Sequence, residues 1–219
     1  MSSYIDWSKT TKSKDYRGSG SFSTLLIVGP TCFFLGVLFA SFPYDYPLLW
    51  SKDVVAPEFY DQLETHLKFM HAAPPLIGRL LNIMISVGFL GLFIKLFRPS
   101  EANFLFDGAS LILYVIGVAV YVSNIVTGLR TVSSGLWEKD EYRFTHATEN
   151  DGEFLLGRED SLRVLAASNT ILALVLIGVL VLQAGQWYAE KREWDDTAEE
   201  AEKKKKDGSP ASKATKKKQ

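Results

Sequence analysis

The stretch LRVLAASNTILALVLIGVLVLQAG, residues 162–185, decides the fold. It holds 24 residues and one charge, Arg163, at its mouth. A helix rises about 1.5 Å per residue, so about 20 apolar residues cross a hydrocarbon core about 30 Å thick. Helices buried inside water-soluble domains keep a polar face, and this stretch is apolar almost all round. Three more stretches meet the same test. Residues 22–42 carry no charge, residues 76–97 carry only Arg79 and Lys95 near their ends, and residues 103–126 carry one acid, Asp107. The reading is an all-α polytopic membrane protein with four transmembrane helices. The first span is longer than a signal h-region and follows a 21-residue polar segment, so it is expected to remain as an anchor.

Composition narrows the chemistry. The chain has 219 residues and a net charge of −1, which excludes a globally basic nucleic-acid binder. Its single cysteine, Cys32, excludes a disulfide framework, a Cys-x-x-Cys redox pair and a cysteine-rich zinc site. Three scattered histidines leave little for a metal centre, and His66 and His71 stand five apart, off the spacing that shares a helix face. No catalytic residue, metal or cofactor is predicted.

Lys and Arg near span ends set orientation. The N-terminal segment, the loop after the second span and the C-terminal tail hold sixteen of them; the first and third loops with their span mouths hold eight. Both termini are therefore predicted to be cytosolic, and the first and third loops lumenal. Neither loop contains Asn-x-Ser/Thr, so no N-glycan is expected. The chain divides into a cytosolic segment 1–21, a four-helix membrane domain 22–190 and a charged tail 191–219, helical to about Glu202 and disordered beyond.

The first loop opens Phe42-Pro43-Tyr44-Asp45-Tyr46-Pro47, whose two prolines predict an end to the first helix. Pro57 then starts a short amphipathic helix with Phe59, Leu63, Leu67 and Met70 on one face, expected to lie along the membrane surface. The third loop, Thr127 to Ser161, carries eight acids and is expected to form a polar cap. Pro30 is expected to kink the first span.

Ionisable and polar groups within a membrane are functional candidates. Arg79 is placed to snorkel to the interface, and Asp107 to pair with Lys95 or Arg98. Asp107, Ser110, Tyr114, Gly117, Tyr121 and Asn124 recur at steps of 3 and 4 and share one helical stripe. Arg79, Asn82 and Ser86 form a shorter stripe on the second span, and Asn169, Ala173 and Gln183 have compatible phases on the fourth. Lipid gives a hydroxyl or amide no partner, so such stripes face protein. They either join the four helices to one another or remain in part free for a helix of another protein.

Three groups of residues carry a family resemblance: Phe42-Pro43-Tyr44-Asp45-Tyr46 after the first span, Asn124-Ile125-Val126-Thr127-Gly128 after the third, and Ala167-Ser168-Asn169-Thr170 with Gln183 to Tyr188 in the fourth. Together with span count and order over roughly residues 22–190, the chain resembles the fungal endoplasmic-reticulum packaging chaperones of amino acid permeases. The 21-residue polar N-terminus departs from that pattern. The resemblance implies a non-enzymatic protein of the endoplasmic-reticulum membrane. Such a protein holds the transmembrane helices of new permeases, prevents their aggregation, and helps load them into coated vesicles through contacts of its cytosolic tail with coat components. The client-facing candidates are Asp107, Ser110, Tyr114, Gly117, Tyr121, Asn124, Asn82 and Asn169. Lys216 and Lys217, four and three from the end of the chain, resemble a dilysine retrieval signal. The alternative is a stable accessory subunit of a transporter or channel, using the same stripes permanently.

Overall fold

In lipid every backbone N–H and C=O must be satisfied within the chain, which leaves helices as the spanning form for runs such as these. The computed structural model describes residues 18–52, 55–97, 101–134, 148–150, 153–155 and 157–207, and its elements follow that rule. Helix α1 is Gly18–Leu49, α2 is Pro57–His71 and α3 is Pro75–Leu96. Helix α4, Glu101–Val120, passes through a π-helical turn, Tyr121–Val126, into α5, Thr127–Ser133. Helix α6 runs 50 residues, Arg158–Asp207. Four of these stretches are long and apolar enough to cross a membrane: Phe22–Leu49, Pro75–Leu96, Leu105–Ser133 and Arg158–Arg192. The four-span all-helical architecture stands, with one small addition. Strands β1, Thr148–Asn150, and β2, Glu153–Leu155, pair antiparallel within the third loop.

The first span does not stop at Phe42. Helix α1 continues through Pro43 and Pro47 to Leu49. The two prolines are one turn apart, so the missing N–H groups fall on one side of the helix while the other side keeps its ladder. That side is well used. Leu48 is buried, the Tyr44 ring stacks on His66 at 4.4 Å, and Asp45 meets α6. Phe42, Tyr46 and Trp50 form a ladder of rings 5.6 to 6.1 Å apart on the exposed side. The third span likewise overruns its predicted end at Val126 by seven residues, because the π-helical turn carries the helix forward without breaking it.

Helix α1 packs against α3 and α6, and α4 packs against α6 and α3, so the four form a closed ring. One end of this bundle, where α1 and α4 begin and α3 finishes, is the terminal end; the opposite end is the loop end. Gly91 lets α1 and α3 approach closely, since a Cβ there would lie 2.9 Å from Ile27 and Leu26. Three buried clusters stack along the bundle. Ile27, Leu92, Tyr114 and Val179 form the first, toward the terminal end; Phe34, Leu172 and Leu176 form the second. The third, at the loop end, is Leu48, Tyr60, Leu63, Val132, Leu162 and Ala166.

Helix α2 closes the loop end. Its Tyr60 and Leu63 enter the third cluster, with Phe59 and Leu67 beside them. The predicted apolar face thus packs on the bundle except at its end, where Met70 stays 48 % exposed; Phe69, off that face, is 76 % exposed. Arg158 of α6 ties α2 down through Asp61 and through Glu64 at 2.8 Å, and Arg163 donates to the Tyr60 hydroxyl at 3.3 Å. Helix α6 spans about 75 Å at 1.5 Å per residue, far beyond a bilayer. Its last turns therefore project past the terminal end.

Candidate functional site

The polar residues of the spans sort into two groups by depth. At the terminal end, Lys95 of α3, Asp107 and Ser110 of α4, and Gln183 and Gln186 of α6 meet among apolar helices. The Lys95 ammonium donates to Gln183 Oε1 at 2.7 Å and Gln186 Oε1 at 2.9 Å, and lies 3.6 Å from Asp107 Oδ1. The same two amides donate from their other ends. Gln183 Nε2 reaches Asp107 Oδ1 at 3.3 Å and Ser110 Oγ at 3.0 Å, and Gln186 Nε2 reaches Asp107 Oδ2 at 3.0 Å. Each glutamine thus turns its oxygen to the cation and its nitrogen to the anion, so the pair is bridged as well as close. Asp107 is 2 % exposed. A buried charge is tolerated when paired and hydrogen-bonded in this way. The predicted Asp107–Lys95 contact is present; Arg98 lies outside the described residues. Gln186 was missed from sequence. Its signal is the i, i+3 spacing from Gln183, which puts both amides on one face of α6.

The rest of the α4 stripe continues along the interior. The Tyr114 hydroxyl donates to the Ile85 carbonyl of α3 at 3.2 Å, and its ring meets Phe89 edge-on at 5.0 Å. Gly88 makes room for that tyrosine: a Cβ there would lie 2.2 Å from its hydroxyl. Gly117 admits Leu172 and Val175 of α6, and Tyr121 tilts against Phe34 at 6.2 Å. Asn124, within the π-helical turn, donates to Ser168 Oγ at 3.1 Å while remaining exposed. Asp107, Ser110, Tyr114 and Gly117 are thus occupied by the chain's own helices.

At the loop end the polar groups are different in kind. Asn82 and Arg79 of α3 are both exposed on the outside of the bundle. Among the described residues the Asn82 side-chain amide has no hydrogen-bond partner and Arg79 no ion pair; Ser86 is turned back on its own helix, donating to the Asn82 carbonyl at 2.9 Å. Asn82 sits about 10 Å inside the start of α3 by helix rise. The structure does not bring Asn169 to the α4 stripe. Asn169 Nδ2 donates instead to Asp45 Oδ2 of α1 at 3.0 Å. Asp45 was missed as a buried group because the helix was expected to end before it; its signal is a lone acid in the aromatic run Phe42 to Trp50. Lys216 and Lys217 lie outside the described residues.

What this arrangement offers chemically is lateral hydrogen bonding at membrane depth from a bundle locked at its other end. The sequence matches a family model described as ER membrane protein SH3, the SHR3 chaperone family, over residues 18–219. No curated protein and no solved structure matches the chain.

Proposed function

The chain belongs to the SHR3 chaperone family, multi-pass proteins of the endoplasmic-reticulum membrane, and from that premise we propose that it holds newly made amino acid permeases until they fold and leave in transport vesicles. The observation that carries the reading is the amide of Asn82, without a partner among the described residues, with Arg79 one turn away, on the outer side of α3. A polar group facing hydrocarbon is costly unless something arrives to bond it. Transporter helices are interrupted and polar, so an unfinished permease presents groups with the same need. Asn124, exposed in a π-helical turn, is a second point of contact. Bonds of this sort contribute about 0.6 to 2 kcal/mol each, which suits capture and release. Tyr121 lies one turn before Asn124, and Asn169 follows Ser168, the partner of Asn124. Asp107, Ser110, Tyr114 and Gly117 support them by holding α4 in place.

The orientation follows the positive-inside bias, with both termini cytosolic and the loop end lumenal. The long charged end of α6 then reaches into the cytosol, where coat components assemble, and Lys216 and Lys217 supply retrieval. A photo-crosslinker at position 82 or 124 in cells tests the reading. Capture of a permease still in the endoplasmic reticulum is the expected result. Deletion of the protein leaves permeases aggregated there. Normal permease delivery in the deletion, or travel of this chain to the cell surface with its partner, as an accessory subunit would, refutes it.

A further inference from the structure

Between α1 and α6 runs a groove of about 500 Å³, lined by Leu35, Leu38, Phe39 and Phe42 on one wall and Ala173 and Ile177 on the other. Gly36 lines it too, with nothing within 4 Å of where its Cβ would be. At the loop end the groove finishes on the Asp45–Asn169 pair. Asp45 is 7 % exposed, yet among the described residues its one partner is the Asn169 amide, and it makes no ion pair there. A carboxylate has about four acceptor positions, and a buried one is stable when a cation or several donors reach it. The groove is therefore apolar along its length and short of a cation at one end.

We propose that this groove is a phospholipid site, taking an acyl chain along its apolar wall and a primary-ammonium headgroup, of the phosphatidylethanolamine class, at Asp45. Three observations fit that occupant. From Asp45 to Leu35 is ten residues, about 15 Å of helix rise, which equals half of a hydrocarbon core about 30 Å thick. The acid stands one turn from the end of α1, beside the Phe42, Tyr46 and Trp50 rings, a grouping that belongs at headgroup level. Thr170 and the Asp45–Asn169 pair apart, the lining is apolar, which suits a chain of methylenes. An ammonium brings three N–H donors to Asp45, whereas a quaternary choline brings none. The inference is independent of which protein the chain holds.

The test uses the full-length protein in detergent micelles, mixed with equal amounts of palmitoyl-oleoyl phosphatidylethanolamine, phosphatidylcholine and phosphatidylglycerol, and read by native mass spectrometry. The expected result is retention of the ethanolamine lipid over the other two by about tenfold, the worth of one charge-assisted hydrogen bond. Asp45→Asn abolishes that preference, and Gly36→Leu, which has room for its new side chain, lowers retention of the ethanolamine lipid. Equal retention of all three lipids by the wild-type protein overturns the proposal. So does unchanged retention in Gly36→Leu, a result that stands even where Asp45→Asn does not fold. A photo-crosslinker at Phe39 that labels a protein in cells and no lipid overturns it as well.

Discussion

The two ends of the membrane bundle solve opposite problems with the same kinds of residue. At the terminal end, Lys95, Asp107, Gln183 and Gln186 bond one another and leave nothing to offer a neighbour. Toward the loop end, Asn82 and Arg79 face outward without partners among the described residues, and Asp45 has one amide for company. A network that is closed rigidifies; polar groups that are open recognise. The difference shows how a four-helix bundle can be firm and receptive at once: the strong bonds are gathered where α3, α4 and α6 cross, and the outer polar face is carried on helices already fixed elsewhere.

The sharpest way to break this comparison is to remove the cation of the closed end. Lys95→Met leaves Asp107 buried with only the two amides, and loss of one partner of a buried pair costs about 3–5 kcal/mol. A large fall in the thermal midpoint of the purified protein is the expected outcome. Lys95→Met with Asp107→Leu recovers part of the loss, because no uncompensated charge then remains. If Lys95→Met melts no lower than Asn82→Leu, the terminal end is not the firm one.

Glycine gives the second comparison. Gly88→Ala drives a methyl into the end of the Tyr114 ring, and such overpacking costs about 1–3 kcal/mol. Gly78, at the loop end of the same helix, has nothing within 4 Å of its Cβ position, so Gly78→Ala gains up to about 1 kcal/mol from helix propensity. Opposite signs in the same melting assay are expected, and Tyr114→Leu rescues Gly88→Ala.

The loop end has firm contacts of its own, the Arg158 ties among them. Arg158→Ala removes the ties from α6 to Asp61 and Glu64 of α2. The expected cost is about 1 kcal/mol, since Asp61 is 61 % exposed and its share is weakened by solvent. The change is local: amides of α2 exchange faster while those of α4 do not, which hydrogen exchange resolves.

What could be read in advance follows from where the costs are steep. A charge in hydrocarbon is so unfavourable that its scarcity marked the four spans and singled out Asp107, and the 3 and 4 spacing placed Ser110, Tyr114 and Gly117 on its inner face. The ends were not legible in the same way. Pro43 and Pro47 oppose a helix locally, but burial of Leu48, the Tyr44–His66 stack and the Asp45–Asn169 bond reward one. Those contacts join residues more than a hundred positions apart or on different helices, and spacing within one helix says nothing of them. Gln183 and Asn169 illustrate the same point, since phase named their faces without naming the helix opposite.

Asn82→Leu is expected to change stability least and function most. The wild-type amide gains no bond from the described residues, so replacing it with an isosteric apolar side chain costs no internal contact and suits lipid better. The melting midpoint should therefore hold or rise slightly. If the outer face of α3 receives polar groups of unfinished permeases, the same substitution removes a bond worth about 0.6 to 2 kcal/mol, and capture falls roughly threefold to thirtyfold. Measured together, an unmoved midpoint and reduced crosslinking at Asn124 separate recognition from scaffold. A fallen midpoint would mean that Asn82 serves the bundle, and an unmoved midpoint with undiminished capture would mean that the outer face of α3 takes no part in holding a client.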